Sequence, residues 1–386
     1  MVSPSMVMAT RRERSKELKK DRRFDSTGAA HEGIKTVAIE KFCEFSTSSV
    51  TCVCIVTWNM NGKVDKVSIW STEQKHLYIP DSRWIHNPML VYAKASSGDM
   101  AELIGWHRRF DLLAVGLQEV PKLDVGVQLQ AALAETHWYF ILTASYLVEL
   151  LIYRPSFSLL AAATMQSLQL FVFGPKNSEP FAKETRVDKH AVRGCGGLVG
   201  RKKGAVGVHI EFNGIRMVFI SCHLSAHARN VEERNSQCRH ISHSLFSKDG
   251  NPCWRHCHVT VWMGDLNYRL QGISTHRARS LIRKNLHNLL TRKDQLLWEA
   301  ERGEVFDGYC EGRLSFKPTY KYNVGSNNYD TSYKVRVPSW TDRILFKIDS
   351  SSGIDAVLHS YESIDRVKTS DHKPVRAHLC LKVKSV

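Results

Sequence analysis

This 386-residue chain has no unbroken run of about 20 apolar residues, the length a membrane-crossing helix needs. Its longest candidate, Trp138 to Phe173, is interrupted by Glu149, Arg154 and Pro155. A simple spanning segment is thereby excluded, leaving a soluble or at most peripheral protein. Internal repeats are missing as well, which argues against a solenoid. Nothing at Met1–Thr10 has the pattern of a secretory signal. The ten cysteines show no repeated spacing. The cluster Cys253-Trp254-Arg255-His256-Cys257-His258, with His240 and His243 upstream, lacks the second cysteine pair of a structural zinc site. Reduced thiols in a cytoplasmic or nuclear protein are therefore expected. Acidic residues are in short supply: 38 Asp and Glu against 54 Lys and Arg leave a formal net charge of +16. Such an excess favours anionic partners, whether acidic membranes, phosphorylated small molecules or nucleic acid. Taken alone, it fits a solvated basic surface equally well.

What is present reads as globular, since 43% hydrophobic and 24% charged residues can build a sizeable core. Residues 1–45 read as a basic, disordered tail, with Arg11, Arg12, Arg14, Lys16, Lys19, Lys20, Arg22 and Arg23 crowded together. Such a tail can also serve acidic lipid or a nuclear address. From Val50 the pattern changes to short apolar runs: Val53–Trp58, Leu112–Leu117, Met217–Ser221 and Val259–Met263. Runs of this kind predict central strands buried on both faces. A helix is expected with Thr291 as N-cap, Asp294 in its first turn and Gly303 as its stop. One large domain over 50–382 fits this organisation.

Each apolar run ends in a polar motif. Trp58 leads into Asn59-Met60-Asn61-Gly62, and Leu117 into Gln118-Glu119. A buried strand that delivers an amide or a carboxylate at its mouth suits an oxygen-loving cation such as Mg²⁺. Taken singly, a strand-end carboxylate is more often a cap. Next come Ser221-Cys222-His223-Leu224-Ser225-Ala226-His227 and Gly264-Asp265-Leu266-Asn267-Tyr268-Arg269. Strand alternation predicts Asp265 and Asn267 on one face, a carboxylate able to take a proton from water beside an amide able to hold a phosphate. Toward the C-terminus cations alternate with rigid residues: Lys317-Pro318-Thr319-Tyr320-Lys321-Tyr322, Lys334-Val335-Arg336-Val337-Pro338-Ser339-Trp340-Thr341-Asp342-Arg343 and Thr369-Ser370-Asp371-His372-Lys373-Pro374. Arg offers phosphate a bidentate fork and Lys a compact charge.

Together, Thr57-Trp58-Asn59, Gln118-Glu119, Cys222-His223-Leu224, Gly264 to Arg269, Pro318 to Tyr322, Pro338 to Arg343 and Ser370-Asp371-His372 strongly resemble the inositol polyphosphate 5-phosphatases, especially the short plant members. The resemblance runs in order over about residues 50–382. It implies a DNase I-like α+β fold, a four-layer α/β/β/α sandwich of two mixed sheets flanked by helices. It implies Asn59 and Glu119 as Mg²⁺ ligands, Asp265 as the residue that activates water, and Asn267 as its substrate-orienting neighbour. His223 and His372 match the grips on the scissile phosphate, with Asp342 orienting His372 and Asp371 alongside. Arg269 and Lys203 match basic positions facing the substrate. Tyr320, Lys321, Lys334 and Arg336 lie in the stretch matching the hold on a neighbouring 4-phosphate. The implied ligand is a phosphoinositide headgroup, met in peripheral contact with an anionic membrane by a monomer, with no nucleic acid.

This chain departs from the family pattern in places. Lys202 stands in the loop Gly197 to Gly204 where most of the family has Asn. Two segments, 64–109 and 141–161, read as atypical inserts, either lineage-specific loops or translated non-coding sequence; the second, if real, is a candidate membrane-contacting element. Two rivals stand beside the phosphatase reading: a nuclease of the same fold and an inactive phosphoinositide-binding module.

Overall fold

Four apolar runs become the centres of two sheets, because a strand without a polar face has to be covered on both sides. They are Val50–Asn59 (β2), Leu112–Gln118 (β3), Ile215–His223 (β10) and Val259–Asp265 (β11), with strands numbered in chain order. The structure is a computed structural model that describes residues 32–40, 50–62, 99–105, 110–121, 125–134, 138–143, 146–151, 157–176, 178, 182–192, 203–247 and 257–384. Residues 1–31, most of the first insert, the glycine-rich loop before Lys203, and Cys253 to His256 lie outside the described residues.

One sheet has seven strands in the order β1 (Lys35–Val37), β12 (Cys310–Gly312), β13 (Asp342–Ile348), β11, β10, β9 (Lys203–Phe212), β8 (Ala182–Val192). The other has six: β14 (Ile354–Ser363), β15 (Val375–Val383), β2, β3, β7 (Leu168–Pro175), β6 (Phe157–Met165). Both are mixed, with a parallel pair at the centre, β10 with β11 and β2 with β3. Between the sheets lies a core that includes Val53, Ile55, Phe219, Val261 and Ile344. The sheets approach closely at Gly116, where an added Cβ would stand 2.7 Å from Ser221 Oγ. Outside the six-stranded sheet, Leu103 and Leu129 of two helices cover Val56, Trp58 and Val115. Outside the seven-stranded sheet, helices Val231–Ser244 and Gln295–Glu301 cover Val218, Ile220 and Trp262 through Ile241 and Leu296. This is the expected four-layer α/β/β/α sandwich.

The two parallel pairs position the site. Strands running the same way end at the same edge, so His223 stands in register with Asp265 and Asn59 with Gln118. Antiparallel β13 starts at that edge, with Asp342 opposite Asp265. Likewise β15 starts with Val375 opposite Thr57, which carries the preceding His372 to the same end.

Several expectations change. Residues 32–40, read as disordered tail, run along the domain: β1 pairs in parallel with β12, and Glu40 N donates to Leu358 O at 2.9 Å. A three-residue strand carries no periodicity to read; it forms because it completes the open edge of β12. The helix near 295 is capped by Asp294, whose side chain accepts from Leu297 N, while Thr291 ends a separate short helix. Gly303, at φ 75°, does follow its C-terminal end. Cys52 and Cys380 form a disulfide across β2 and β15, so the reduced-thiol expectation does not hold for this pair. Backbone of the second insert forms a hairpin, β4 (Trp138–Thr143) with β5 (Tyr146–Leu151), followed by the start of β6.

Candidate active site

Asp265 lies at the centre of the strand-end cluster and is 1% exposed. Gly264 before it has φ 138°, and a Cβ there would lie 2.1 Å from Cys222 O, so only glycine lets β10 and β11 close up at this point. Asn59 Nδ2 donates to Asp265 Oδ2 at 2.9 Å, and Asn267 N to Oδ1 at 3.1 Å. Burial alone would raise the pKa of this carboxyl. The hydrogen bond from His223 and the charges of His372 and Lys203 outweigh it and hold Asp265 far below the usual carboxylate range.

Asn267 shares this space, but strand alternation is not the cause. β11 ends at Asp265, and Asn267 takes a left-handed φ of 57° that turns it back. Its amide then bridges two neighbours, donating to Leu224 O at 3.1 Å and accepting from Arg269 Nη2 at 2.5 Å. The Arg269 guanidinium stacks over the Tyr320 ring at 4.3 Å, and that ring lies 4.5 Å from the imidazole of His372.

The two histidines are in opposite states. His223 Nε2 is 3.3 Å from Asp265 Oδ2 and also contacts Lys203 Nζ. One ring nitrogen serves only one of these at a time: it accepts from Lys203 when bare and donates to Asp265 when protonated. Burial, then the Lys203 charge, lowers the pKa below its ordinary 6.5, which favours the neutral ring. Burial also disfavours charge on His372, but Asp342 overrides it, with help from Asp265 and Asp371, and the pKa rises to about 10. His372 Nδ1 lies 2.9 Å from Asp342 Oδ2, which also accepts from Thr319 and Thr341. Ser370 Oγ ties this loop to the end of the neighbouring strand β2 by donating to Asn59 O at 2.6 Å.

Glu119 follows β3 in a left-handed turn, φ 50°, with Oε1 3.8 Å from His223 Nε2. Glu119 and Asp265 both approach His223 Nε2, at 3.8 and 3.3 Å, and the Asn59 amide bonds to Asp265, so this strand edge gathers two carboxylates and an amide, oxygen donors of the kind that suit Mg²⁺ or Ca²⁺. Asp265, Asp342 and His372 also bring ligand-type atoms within 4.8 Å of one another. There His372 Nδ1 is engaged by Asp342 and the ring is charged, so it has no lone pair to give a metal.

Beside the cluster opens a cavity of about 240 Å³ whose walls include Arg269, Tyr320, Lys334, Arg336 and His227. No carboxylate lines it among the described residues. Lys321 is not part of it; its Nζ pairs with Asp371 Oδ2 at 2.9 Å. This pair braces the His372 loop. Thr319, Thr341 and His227 stand within the polar motifs, and their sequence positions alone assign them no role. His227 is legible only once the loop 224–228 is seen folding over the cavity. Behind that loop Arg234, fully buried, donates to Ser225 O at 3.1 Å, His227 O at 2.7 Å and Gln295 Oε1 at 2.8 Å. Gln295 in turn holds Ala228 O and Arg269 N.

Comparison with known proteins agrees with this geometry. Residues 56–378 match the model of endonuclease/exonuclease/phosphatase family 2. The type IV inositol polyphosphate 5-phosphatase 11 of Arabidopsis thaliana is 49% identical over 93% of this chain and 91% of its own length. The phosphatidylinositol 4,5-bisphosphate 5-phosphatase A of Rattus norvegicus is 34% identical over 70% of this chain, which spans only 27% of that protein. Among solved structures, the 5-phosphatase domain of a synaptojanin, in complex with inositol (1,4)-bisphosphate and calcium, superposes with a TM-score of 0.62. It covers 86% of each chain at 24% identity, which speaks for the fold alone. With the near full-length match to the Arabidopsis protein, the chain belongs to the inositol polyphosphate 5-phosphatases of the endonuclease/exonuclease/phosphatase family and is a phosphoric monoester hydrolase.

Proposed function

We propose that this enzyme removes the 5-phosphate of phosphoinositides carrying a neighbouring phosphate, including phosphatidylinositol 4,5-bisphosphate and 3,4,5-trisphosphate, with Mg²⁺ as its metal. Soluble inositol polyphosphates of the same pattern are secondary substrates. The observation that carries this is the cationic cavity of Arg269, Lys334 and Arg336 beside Asp265 and His372. Three cations around a pocket of about 240 Å³ suit a polyphosphorylated ring. Nucleic acid instead spreads its charge along a groove.

Glu119 and Asn59 would hold Mg²⁺, which when bound neutralises charge on the phosphoryl and leaving oxygens. Asp265, ionised throughout the working range, accepts a hydrogen from the attacking water and aims it. So depressed a carboxylate is a weak base, but a loose phosphoryl transition state demands little early deprotonation of the nucleophile. His372, charged, and the Asn267 amide stabilise the phosphoryl oxygens; one such fixed donor is worth about 3–4 kcal/mol. A phosphate that engages Lys203 frees the Nε2 lone pair of His223, which donates to Asp265 or to a phosphoryl oxygen once it has taken up a proton.

On this reading the protein works as a monomer on the cytoplasmic face of anionic membranes, without a nucleic-acid partner. The basic run Arg11 to Arg23 supports membrane attraction and equally a nuclear address. The test is orthophosphate release from vesicle-borne and soluble substrates, with and without Mg²⁺, beside a plasmid-nicking assay. Nicking without orthophosphate release would sink the proposal in favour of a nuclease. Binding without turnover under metal would favour a recruitment module.

A further inference from the structure

Among the described residues the most exposed large hydrophobic side chain is Tyr333, at 88%. It is displayed by a turn that is tightly held. Asp330, 1% exposed, accepts from Ser332 N at 3.0 Å and Arg336 N at 2.9 Å through its two carboxylate oxygens. Val335 N closes the turn onto Ser332 O at 3.0 Å, and Thr275 Oγ1 anchors Val335 O from a neighbouring helix at 3.0 Å. A loop so fixed does not fold its aromatic ring away, and little entropy remains to be lost when the ring meets a partner.

Position gives the ring its meaning. Lys334 and Arg336, on either side of Val335, line the cationic cavity, while Tyr333 points to solvent. Val335, 42% exposed, completes a small apolar tip at the cavity's rim. A headgroup can enter this cavity from a bilayer only if the bilayer surface comes to the rim. An amphipathic ring with a polar hydroxyl is suited to that depth, where the apolar body leaves water and the tip stays wet. We infer that the Tyr333–Val335 turn is a membrane-contact element, inserting at the interface of an anionic bilayer and holding the cavity over a lipid headgroup. The charge around it is complementary, since the described walls of the cavity carry Arg269, Lys334 and Arg336 and no acid. The inference rests on the lipid reading of the active site.

The experiment compares wild type, Y333S and Y333W. Each is assayed on the soluble inositol trisphosphate headgroup and on the same headgroup in phosphatidylserine-containing vesicles. Vesicle co-sedimentation without substrate is measured in parallel. Y333S is expected to keep soluble turnover within about twofold, and to lose about tenfold in vesicle binding and in turnover at limiting vesicle concentration. Y333W is expected to match or exceed wild type on vesicles. If wild type acts on vesicles and Y333S equals it, the contact role is overturned while the lipid reading stands. If wild type turns over only the soluble headgroup and ignores vesicles, the lipid reading fails and takes this inference with it.

Discussion

His372 Nδ1 lies 2.9 Å from a carboxylate oxygen of Asp342 that two threonine hydroxyls also hold, Thr319 at 2.7 Å and Thr341 at 2.8 Å. This arrangement keeps the imidazole charged, with a pKa raised to about 10. Asp342→Asn removes the charge while keeping the shape. The basic limb of the kcat/KM profile should then move from near 10 in wild type down toward the ordinary His value of roughly 6.5. At pH 8 this means a loss of about 10- to 100-fold. The sign for stability is the same. A raised histidine pKa contributes fully below the unfolded value and is lost as pH climbs through the folded one, so wild type should lose this contribution between about 6.5 and 10. pH–rate profiles and NMR titration of His372 check it; an unmoved basic limb would remove His372 as the group responsible.

Asp265→Ala is expected to lower kcat by roughly 10²- to 10⁴-fold and to leave KM within a few-fold. Steady-state kinetics with Mg²⁺ decide this. Near wild-type turnover would take Asp265 out of the reaction, whatever its central place.

Lys334→Ala and Arg336→Ala should act on substrate choice. Each removes a charge-assisted contact of about 1.5–3 kcal/mol, so kcat/KM should fall roughly 10- to 100-fold for a substrate with a phosphate beside the scissile one. A substrate lacking that neighbour should be turned over nearly as before. Equal losses on both would show that these cations attract charge in general rather than read the neighbour.

Arg234 is fully buried behind the cavity wall, and its guanidinium serves two carbonyls and the Gln295 side chain. Arg234→Met should strand those acceptors and lower unfolding free energy by about 2–4 kcal/mol. Arg234→Lys should recover less than half of this, because an ammonium lacks the fork that reaches all three. Urea denaturation of the two variants measures the difference, and equal stability would show the brace to be dispensable.

The Cys52–Cys380 disulfide joins residues 328 apart in sequence. Opening so long a loop enlarges the unfolded ensemble, and Cys52→Ser should cost about 2–5 kcal/mol of stability. Activity at moderate temperature should survive, since Cys52 lies near the start of β2 and Asn59 ends it. Denaturation with and without a reductant reads this directly.

The parts of the fold legible in the sequence are those where burial leaves no choice of residue. β2, β3, β10 and β11 are apolar almost throughout because both faces are covered. β8 is different: Ala182–Val192 is largely exposed and charged, and it is a strand because β9 offers an edge, which no local pattern announces. The site divides in the same way. Asp265, His223, Asn59 and Glu119 follow strand ends, so position along a strand predicts their convergence. The contact between Asn267 and Arg269 depends on a left-handed residue, and the stacking of Arg269, Tyr320 and His372 on loops that meet only in three dimensions. Lys321 illustrates the limit. Its basic neighbourhood suggests a ligand contact, and no local pattern announces its bond to Asp371, 50 residues away.

The hydrogen bond from Asn59 to Asp265 crosses from one sheet to the other, while that from Ser370 to Asn59 holds the His372 loop to the end of β2 within the six-stranded sheet. Neither sheet alone therefore holds a complete catalytic set. Turnover becomes a gauge of whether the two halves of the sandwich are docked, and in a denaturant titration it should vanish no later than the fluorescence of the buried tryptophans Trp58, Trp262 and Trp340 changes. Any species that retained one sheet but let the other loosen would be optically near-native and chemically silent. Loss of activity ahead of the spectroscopic transition would then measure the free energy of parting the sheets, separately from that of unfolding them.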